Sequence, residues 1–362
     1  MSVVRLITSN FRNIEQSQTE LHSQLNFLVG DNGSGKSSFL EALFFLGHGK
    51  SFRTTKIENL VSYQESTFVV SIKDDLDSQI GISKNIISNE TEIKINGIKQ
   101  SKLSELAKNI AVQIITPESF KLFFGGPKER RRFIDLGLFH VEQSFSKAWK
   151  DFSRILKQRN AYLRSGANLE GIKYWDEAFC THSNIVSTLR LNYVNGFREE
   201  FSYWAELLLP KIHENIEVQY FQGWKQNTNL ADVLVNNRTR EINLGYSISG
   251  THKFDVRFIM SKQPLENQLS RGQQKLFLFA LTFAQAKLIE KVKRVKPILL
   301  IDDVGAELDS HSRTVLNEAI NQLNCQVIIT AIDKSAVEPL VPSDHDYKMF
   351  HVKHGKIFEM SE

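Results

Sequence analysis

The chain has 362 residues, of which 41% are hydrophobic and 24% are charged, and its formal net charge of +4 permits nucleic-acid binding without arguing for it. No apolar run approaches the ~20 residues that span a bilayer, and residues 1–11 lack the apolar core of a signal peptide. Two cysteines, Cys180 and Cys325, are too few for a disulfide framework or a zinc site, so we expect a cytoplasmic protein in which both are buried thiols.

The N-terminal part of the chain combines two strand patterns with a glycine-rich loop. The alternating residues 1–11 predict an edge strand, and the apolar run 25–29 predicts a strand that ends at Gly30. Apolar residues at helical spacing over 38–46 predict a helix directly after the loop. Together they form one strand–loop–helix unit.

Short β-rich runs follow and predict an antiparallel meander, and the dipeptide Asn96-Gly97 is typical of a two-residue hairpin turn. The predicted elements are strands at 68–72, 80–82 and 93–95, a short helix at 101–109 and a buried strand at 111–115.

A long helical region occupies the middle of the chain. Residues 128–209 have a helical pattern almost throughout, with predicted breaks near 165–166 and 170–171. Strand patterns return at 216–220 and 254–258. We expect a separate, mainly helical lobe without sustained heptads, and therefore without a long coiled coil.

The last hundred residues alternate between helix and buried strand, which predicts an α/β fold with a parallel core. The predicted elements are a helix at 270–291, a strand at 298–301, a helix at 310–323 and a strand at 327–329.

The glycine-rich loop matches the phosphate-binding pattern G-x-x-x-x-G-K-[ST] without a mismatch, between a strand and a helix as that chemistry requires. Lys36 is predicted to contact the β- and γ-phosphates of ATP, and the hydroxyl of Ser37 to bind Mg²⁺. The alternative is a Gly/Ser turn that only caps the helix. The candidate nucleotide-binding residues here are Gly30, Asp31, Asn32, Gly33, Ser34, Gly35, Lys36, Ser37 and Ser38.

Two carboxylates follow the buried strand 298–301, at the edge where ligands bind in open α/β sheets. Asp302 is predicted to hold Mg²⁺, directly or through water, and Asp303 to polarise the attacking water as a general base. The alternative is that both acids cap the next turn.

Residues 269–275, Leu-Ser-Arg-Gly-Gln-Gln-Lys, resemble the signature motif of the ABC ATPases. The resemblance implies that Ser270, Gly272 and Gln273 bind the phosphates of a nucleotide held by the opposite subunit. Ser270 would thereby contribute to catalysis. Asp309 matches the D-loop of the same family. The alternative is a serine that caps a helix, followed by surface residues.

Two features depart from the ABC pattern. The glutamine of the Q-loop has no clear counterpart, because Gln113 lies inside a predicted strand, and the switch histidine is replaced by Thr330. We therefore expect slow ATP hydrolysis, in which ATP binding acts as a switch.

The whole chain resembles the RecF family of ABC/SMC-type ATPases. The resemblance is carried by residues 10–13 (Asn-Phe-Arg-Asn), the phosphate loop, 49–54, 126–135, 158–161, 250–253, 269–275 and 301–309. Residues 250–253, Gly-Thr-His-Lys, are a weakened form of the Gly-Pro-His-Arg of that family.

The resemblance implies an ABC-type ATPase head with a mixed sheet and an antiparallel meander, built from residues 1–125 and 245–362. It assigns residues 126–244 to a helical lobe for DNA binding or dimer contact. It also implies a slow, DNA-stimulated ATPase with ATP and Mg²⁺ as cofactors. An ATP-dependent homodimer would clamp gapped or single-strand/double-strand junction DNA and promote RecA loading with RecR and RecO.

Two basic clusters are candidates for DNA contact. They comprise Lys128, Arg130, Arg131 and Arg132, and Lys50, Arg53 and Lys56. For residues 128–132 the alternative is a solvated helix face, and Arg53 and Arg132 could equally be structural or bind nucleotide. His252 and the aromatic residues of the helical region are interpreted as structural.

Two other functions remain open on the sequence alone. A transporter ATPase is disfavoured by the missing glutamine and histidine and by the helical insert. An ABC-type ATPase of another DNA-processing or anti-phage system is compatible with the same motifs, because the fold and the ATP chemistry do not determine the target.

Overall fold

The computed structural model describes residues 2–119, 125–165, 169–293, 296–304, 308–342 and 346–360. The chain divides into two compact units. The head unit comprises residues 1–119, 207–209 and 270–362, and the second unit comprises 120–206 and 210–269. None of the described helices combines the length and apolar character needed to cross a membrane.

The strands, in chain order, are β1 (Val3–Phe11), β2 (Ile14–Glu20), β3 (Leu25–Val29), β4 (Thr67–Asp74), β5 (Gln79–Asn85), β6 (Thr91–Ile95), β7 (Ile98–Gln100), β8 (Val112–Ile115), β9 (Ile216–Phe221), β10 (Asp255–Met260), β11 (Gln263–Pro264), β12 (Ile298–Ile301), β13 (Gln326–Ala331), β14 (Tyr347–Lys353) and β15 (Lys356–Glu359). The helices are α1 (Lys36–His48), α2 (Leu103–Asn109), α3 (Pro127–Val141), α4 (Phe145–Arg164), α5 (Leu169–Leu208), α6 (Leu230–Leu244), α7 (Arg271–Lys293), α8 (Ser310–Asn321) and α9 (Lys334–Val337).

The first sheet of the head unit has the strand order β15-β14-β3-β13-β12-β8 and is parallel except for β15. Every residue of β3, β12 and β13 is buried, as the continuous apolar runs predict for a parallel core. Val29 pairs with Ala331 and Ile301 with Ile329, so the loops that follow these strands emerge at one edge. That edge positions the candidate site.

The second sheet of the head unit is an antiparallel meander in the order β2-β1-β4-β5-β6-β7. The prediction that β1 is an edge strand is wrong: after Arg12, whose φ is 57°, the chain reverses into β2, so β1 is paired on both sides. The hairpin prediction is confirmed, because Ile95 pairs with Ile98 across Asn96 and Gly97, whose φ angles are 51° and 77°.

Helix α1 packs against strands of both sheets and is buried almost all round. Phe45 on α1 and Phe11 on β1 each place their rings against Phe68 of β4, at centroid distances of 5.4 and 5.3 Å. Each buried aromatic side chain of this size contributes about 1.5–3 kcal/mol. The helix that follows the glycine loop is therefore firmly packed in the core of the head unit.

The second unit is built from α3 to α6 and the three-stranded sheet β11-β10-β9. The predicted break near 170–171 is wrong, since α5 continues through Gly171, while the interruption after Val141 was not predicted. Residues 245–269, predicted to be part of the head, belong to this unit because β10 pairs with β9 from Asp255 to Met260.

Arginine–carboxylate clusters stabilise the second unit. Arg159 is fully buried, donates to Asp176 at 2.8 and 2.9 Å and to Glu241 at 2.6 Å, and also contacts Ser247. Since Glu241 is also fully buried, the ion pair replaces lost hydration for both charges.

A second buried arginine links α5 to the segment before β10. Arg190 donates to both oxygens of Asp135 and to the carbonyl and hydroxyl oxygens of Thr251, and its guanidinium lies 3.7 Å from the ring centroid of Phe254. Burial raises the pKa of Asp135, although Arg190 opposes that shift. Arg190 therefore contacts both ends of the segment 251–254, which lies between α6 and β10.

His252, interpreted as structural, is partly buried beside Phe152 and Phe179. Its Nε2 lies 3.0 Å from the Ser247 carbonyl, and burial lowers its pKa to about 4. Of the two cysteines, Cys325 is buried as expected and Cys180 only partly so.

Candidate nucleotide-binding site

The glycine loop lies between β3 and α1, as its sequence predicts. Gly30 has a φ of 156°, and a Cβ there would lie 2.2 Å from the Val352 carbonyl oxygen, so no larger residue fits. Gly35 immediately precedes α1 and has a φ of 123°. The loop thus leads into the amino terminus of a helix, an arrangement that favours bound phosphate.

Lys36 is the first residue of α1, and its Nζ donates to the carbonyl oxygens of Gly30 at 2.5 Å and Asp31 at 2.9 Å. Burial lowers its pKa, while Asp302, Asp303 and Asp31 oppose that shift. Beside it, the Oγ of Ser34 is buried and has no hydrogen-bond partner among the described residues. A buried ammonium and an unpaired hydroxyl fit an anionic oxygen-rich ligand.

Asp302 and Ser37 meet at the same edge of the sheet. The hydroxyl of Ser37 donates to Asp302 Oδ1 at 3.1 Å, and that of Thr330 donates to the same oxygen at 2.8 Å. Burial raises the pKa of Asp302, although both hydroxyls oppose that shift. Hydroxyl and carboxylate oxygens are ligands that Mg²⁺ prefers, so the pair fits that cation.

Asp303 has a φ of 56°, a left-handed conformation that is uncommon for a residue with a side chain. Two side chains hold its backbone: its N–H donates to Thr330 Oγ1 at 2.9 Å, and its carbonyl oxygen accepts from Lys275 Nζ at 3.4 Å. Such strain is typical of functional positions, where it aims a side chain.

These residues border an open cavity of about 530 Å³, a size typical of cofactor sites. The predicted residues that line it are Asn32, Gly33, Gly35, Lys36, Ser37, Ser38, Asp302 and Asp303. The lining residues that were not among the predicted ligands are Arg12, Asn13, Arg53, Asn59, Val61, Pro117, Thr330 and Ile332.

Glu41 on α1 organises the part of this lining that includes Arg12 and Arg53. Its carboxylate is fully buried and accepts from Arg12 Nε at 2.8 Å and Nη2 at 2.7 Å, with Arg53 at 3.6 Å. The hydroxyl of Ser51 also donates to it. A carboxylate among the apolar residues of α1 needs such partners, and this was the sequence signal that could have revealed the cluster.

Two turns brace the phosphate loop. From the β1–β2 turn, the Asn13 amide donates to the Gly33 carbonyl at 3.3 Å and accepts from the Ser38 hydroxyl at 2.8 Å. From the β14–β15 turn, the Gly355 N–H donates to the Ser34 carbonyl at 2.7 Å. The loop is therefore held from both sides before any ligand binds.

The signature residues are not brought to this pocket within one chain. The Ser270 N–H donates to the Gln273 side chain at 2.9 Å, and the Gln273 N–H to the Ser270 hydroxyl at 3.3 Å, which forms a capping box at the start of α7. Ser270 is exposed, and neither it, Gly272 nor Gln273 lines the cavity.

Asp309 likewise lies outside the cavity, where its carboxylate caps α8 by accepting from the Ser312 N–H at 2.7 Å. Residues 306–307 of the D-loop match, which spans 306–309, lie outside the described part of the chain. Gln113, the weak candidate for the Q-loop glutamine, is buried, donates to Gln285 at 2.9 Å and does not line the cavity.

Comparisons with known proteins identify the family of this chain. The family model described as the RecF/RecN/SMC N-terminal domain matches residues 2–357. The chain is 58% identical to the DNA replication and repair protein RecF of Colwellia psychrerythraea, over 100% of this chain and 98% of that protein. It is 41% identical to the protein of the same name from Pseudoalteromonas translucida, over 99% of each chain.

Solved structures agree on the fold. A structure of the recombination mediator protein RecF with ATP, in the RecFOR pathway, matches with a TM-score of 0.85 at 22% identity, over 99% of this chain and 98% of that chain. An Smc head domain from Pyrococcus furiosus matches with a TM-score of 0.56 at 16% identity, over 100% and 96%. The predicted α/β head with a mixed sheet, a meander and a helical lobe is confirmed, and the chain belongs to the RecF family of ABC/SMC-type ATP-binding proteins.

Proposed function

We propose that the chain is an ATP-dependent DNA-binding protein of repair and recombination, in which ATP joins two copies into a clamp on gapped or junction DNA. The observation that carries the proposal is the convergence of Lys36, Ser37, Asp302 and Asp303 on one open cavity of the head unit. Each of these groups has a role in phosphoryl chemistry.

Lys36 would exchange its two carbonyl contacts for β- and γ-phosphate oxygens, which favour its charged form. The loop from Gly30 to Gly35 would offer backbone N–H groups to the same phosphates. Ser37 and Asp302 would hold Mg²⁺, which supplies positive charge to the transferring phosphoryl group when it is bound. Asp303 would orient the attacking water and accept its proton.

Hydrolysis in this site is proposed to be slow and stimulated by DNA. The hydroxyl of Thr330, where a switch histidine is expected, is already bonded to Asp302 and accepts from the Asp303 N–H. It cannot relay a proton as an imidazole would. ATP binding would therefore act as the switch, and hydrolysis would reset it.

A second copy would complete the site. Ser270, Gly272, Gln273 and Asp309 lie at the starts of α7 and α8 but do not line the cavity of their own chain. Helix starts present backbone N–H groups that suit phosphate, so these residues are proposed to exchange their capping contacts for the nucleotide of the partner subunit. ATP would then favour the homodimer by linkage, because it binds the closed pair better than the single chain.

The biological role follows from the relatives, which are named DNA replication and repair proteins, and from the RecFOR pathway of the solved neighbour. We propose that the chain acts with RecR and RecO on gapped duplexes and promotes RecA loading there. A cytoplasmic location agrees with such a role.

The proposal is tested by the binding of gapped duplex DNA to an Asp303→Asn variant, with and without ATP, and to the same variant carrying Ser270→Arg. The first change should retain ATP and strengthen ATP-dependent DNA binding, and the second should abolish both DNA binding and ATP-dependent dimerisation. Asn229→Arg in place of Ser270→Arg is the matched control, since Asn229 also caps a helix and the added charge is the same.

Tight ATP binding with no DNA affinity in any state would contradict the DNA-clamp function. The ATP-binding assignment would survive that result, and the protein would then be sought in another ABC-type system.

A further inference from the structure

One face of α4 carries a row of basic side chains. Lys147, Lys150, Arg154, Lys157 and Arg164 are all exposed, at spacings of three, four, three and seven residues. At 100° per residue these five positions fall within an arc of about 100°, and they extend over about 26 Å of helix. We call these five residues the α4 basic face.

The opposite side of the same helix is anchored in the second unit. Phe145, Phe152, Arg159 and Leu163 are buried there. Because the rotation of α4 is fixed by these contacts, the basic side chains are held outward as a set. The position in the row between Lys157 and Arg164 is occupied by Ala161, which is exposed and too small to obstruct a ligand.

The charges of the α4 basic face are largely uncompensated. Arg154 makes an exposed ion pair with Asp151 at 3.3 Å, which contributes little. Among the described residues, no carboxylate lies within ion-pair distance of Lys147, Lys150, Lys157 or Arg164. A row of like charges on one helix disfavours that helix, so a compensating polyanion would stabilise it.

The basic cluster predicted at the start of α3 is less available. Arg130 donates to both oxygens of Asp255, and Arg131 donates to the Phe254 carbonyl, so both guanidiniums are used within the fold. In the other predicted cluster, Arg53 is paired with Glu41. In the α4 basic face, by contrast, the one ion pair among the described residues is the exposed contact of Arg154 with Asp151.

We propose that the α4 basic face binds the phosphodiester backbone of double-stranded DNA, without reading its sequence. This inference rests on the proposed function and adds to it the location of the contact. Each strand of a duplex carries one phosphate per about 3.4 Å along the duplex axis, so a helix of about 26 Å that lies along this axis passes about eight phosphates of each strand. The ammonium group of lysine and the guanidinium group of arginine are the usual partners of these phosphates, and such contacts do not read the base sequence.

The test is the salt dependence of duplex binding by the full chain with ATP, for the triple variant Lys150→Gln, Arg154→Gln and Lys157→Gln. Each phosphate contact removed lowers the slope of log K against log salt by about 1, so the slope should fall by about 3. Affinity at about 0.15 M salt should fall roughly tenfold or more. The matched control is the triple variant Lys211→Gln, Lys225→Gln and Lys262→Gln, which removes the same charge from exposed positions of the same unit and should bind as the unaltered chain does.

The outcomes separate this inference from the proposed function. Equal affinity and equal slope for the two triple variants would overturn the α4 contact and leave the ATP-dependent clamp intact. A parallel loss of ATP-dependent dimerisation would also overturn it, since the face would then contact the partner subunit. No duplex binding by the unaltered chain in any nucleotide state would overturn both.

Discussion

Arginines have opposite roles in the two units of the molecule. In the head unit, Arg12 and Arg53 line an open cavity and share one buried carboxylate, Glu41. In the second unit, Arg159 and Arg190 are buried and surrounded by carboxylate, carbonyl and hydroxyl oxygens. Burial and the number of internal partners, rather than residue type, therefore distinguish a charged side chain that can bind a ligand from one that stabilises the fold.

The largest effect should come from breaking a buried pair in the second unit. Glu241→Ala leaves Arg159 without one of its two carboxylates in a fully buried position, which should lower the free energy of unfolding by about 3–5 kcal/mol. Urea unfolding followed by tryptophan fluorescence measures this directly, because all four tryptophans lie in the second unit. ATP affinity should not change, since Glu241 contacts no residue that lines the cavity.

Glu177→Ala on the exposed side of α5 is the matched control and should change the free energy of unfolding by less than about 0.5 kcal/mol. If the free energy of unfolding of the Glu241 variant fell by less than about 1 kcal/mol, water would have replaced the missing carboxylate. The buried arginines of the second unit would then differ less from the cavity-lining arginines of the head unit than their burial indicates.

An intermediate effect is expected from His252. Burial lowers its pKa to about 4 in the folded chain, from 6.5. The unfolded chain therefore takes up a proton first as the pH falls. Neutral His252 makes its full contribution to the free energy of unfolding above about pH 6.5, and this contribution is lost progressively toward pH 4. The free energy of unfolding should therefore fall by about 2–3 kcal/mol between about pH 7 and pH 4.5.

Urea unfolding at both pH values, in the unaltered chain and in His252→Gln, isolates this contribution. The variant should lose less stability on acidification, by the stated amount. Identical acid sensitivity of the two proteins would mean that the imidazole titrates normally and is reached by water.

The smallest effect is expected at the open cavity. Arg53→Gln removes a cation whose side chain is 47% exposed, so the free energy of unfolding should barely change. ATP affinity should fall by about 1 kcal/mol, or roughly fivefold, because Arg53 lines the same cavity as Lys36 and Ser37, which are proposed to contact the phosphates and Mg²⁺. Titration with a fluorescent ATP analogue measures this, and Lys56→Gln, which removes an exposed charge outside the cavity lining, should have no effect. Equal affinities of the two variants would place Arg53 outside the nucleotide contacts.

The sequence predicted those parts of the fold and site that depend on local pattern. Strand β12 was predicted with its observed limits, and the phosphate loop and the pair Asp302 and Asp303 could be located because contiguous residues carry their chemistry. Thr330 could not be assigned to this pair in the same way, because its contact with Asp302 depends on the pairing of β12 with β13.

Other differences also have physical reasons. Alternation in β1 indicates which side chains face the core but not how many strands pair with it, so its interior position was missed. A glycine within a helix is tolerated when the surrounding turns are well packed, so Gly171 did not end α5. The buried partners of Arg130 and Arg131 depend on β10, more than a hundred residues away.

The brace between Gly355 and the phosphate loop has a consequence for biosynthesis. The loop leaves the ribosome early, but β13 and β14, which flank β3, and the turn that holds Ser34 are made near the end of translation. A partly made chain therefore lacks the neighbours that shape its nucleotide pocket, and contacts this distant in sequence form slowly. A nascent chain should therefore not bind ATP until β14 and the Gly355 turn have been made. Because pairing is proposed to depend on ATP, incomplete copies would not pair with finished ones.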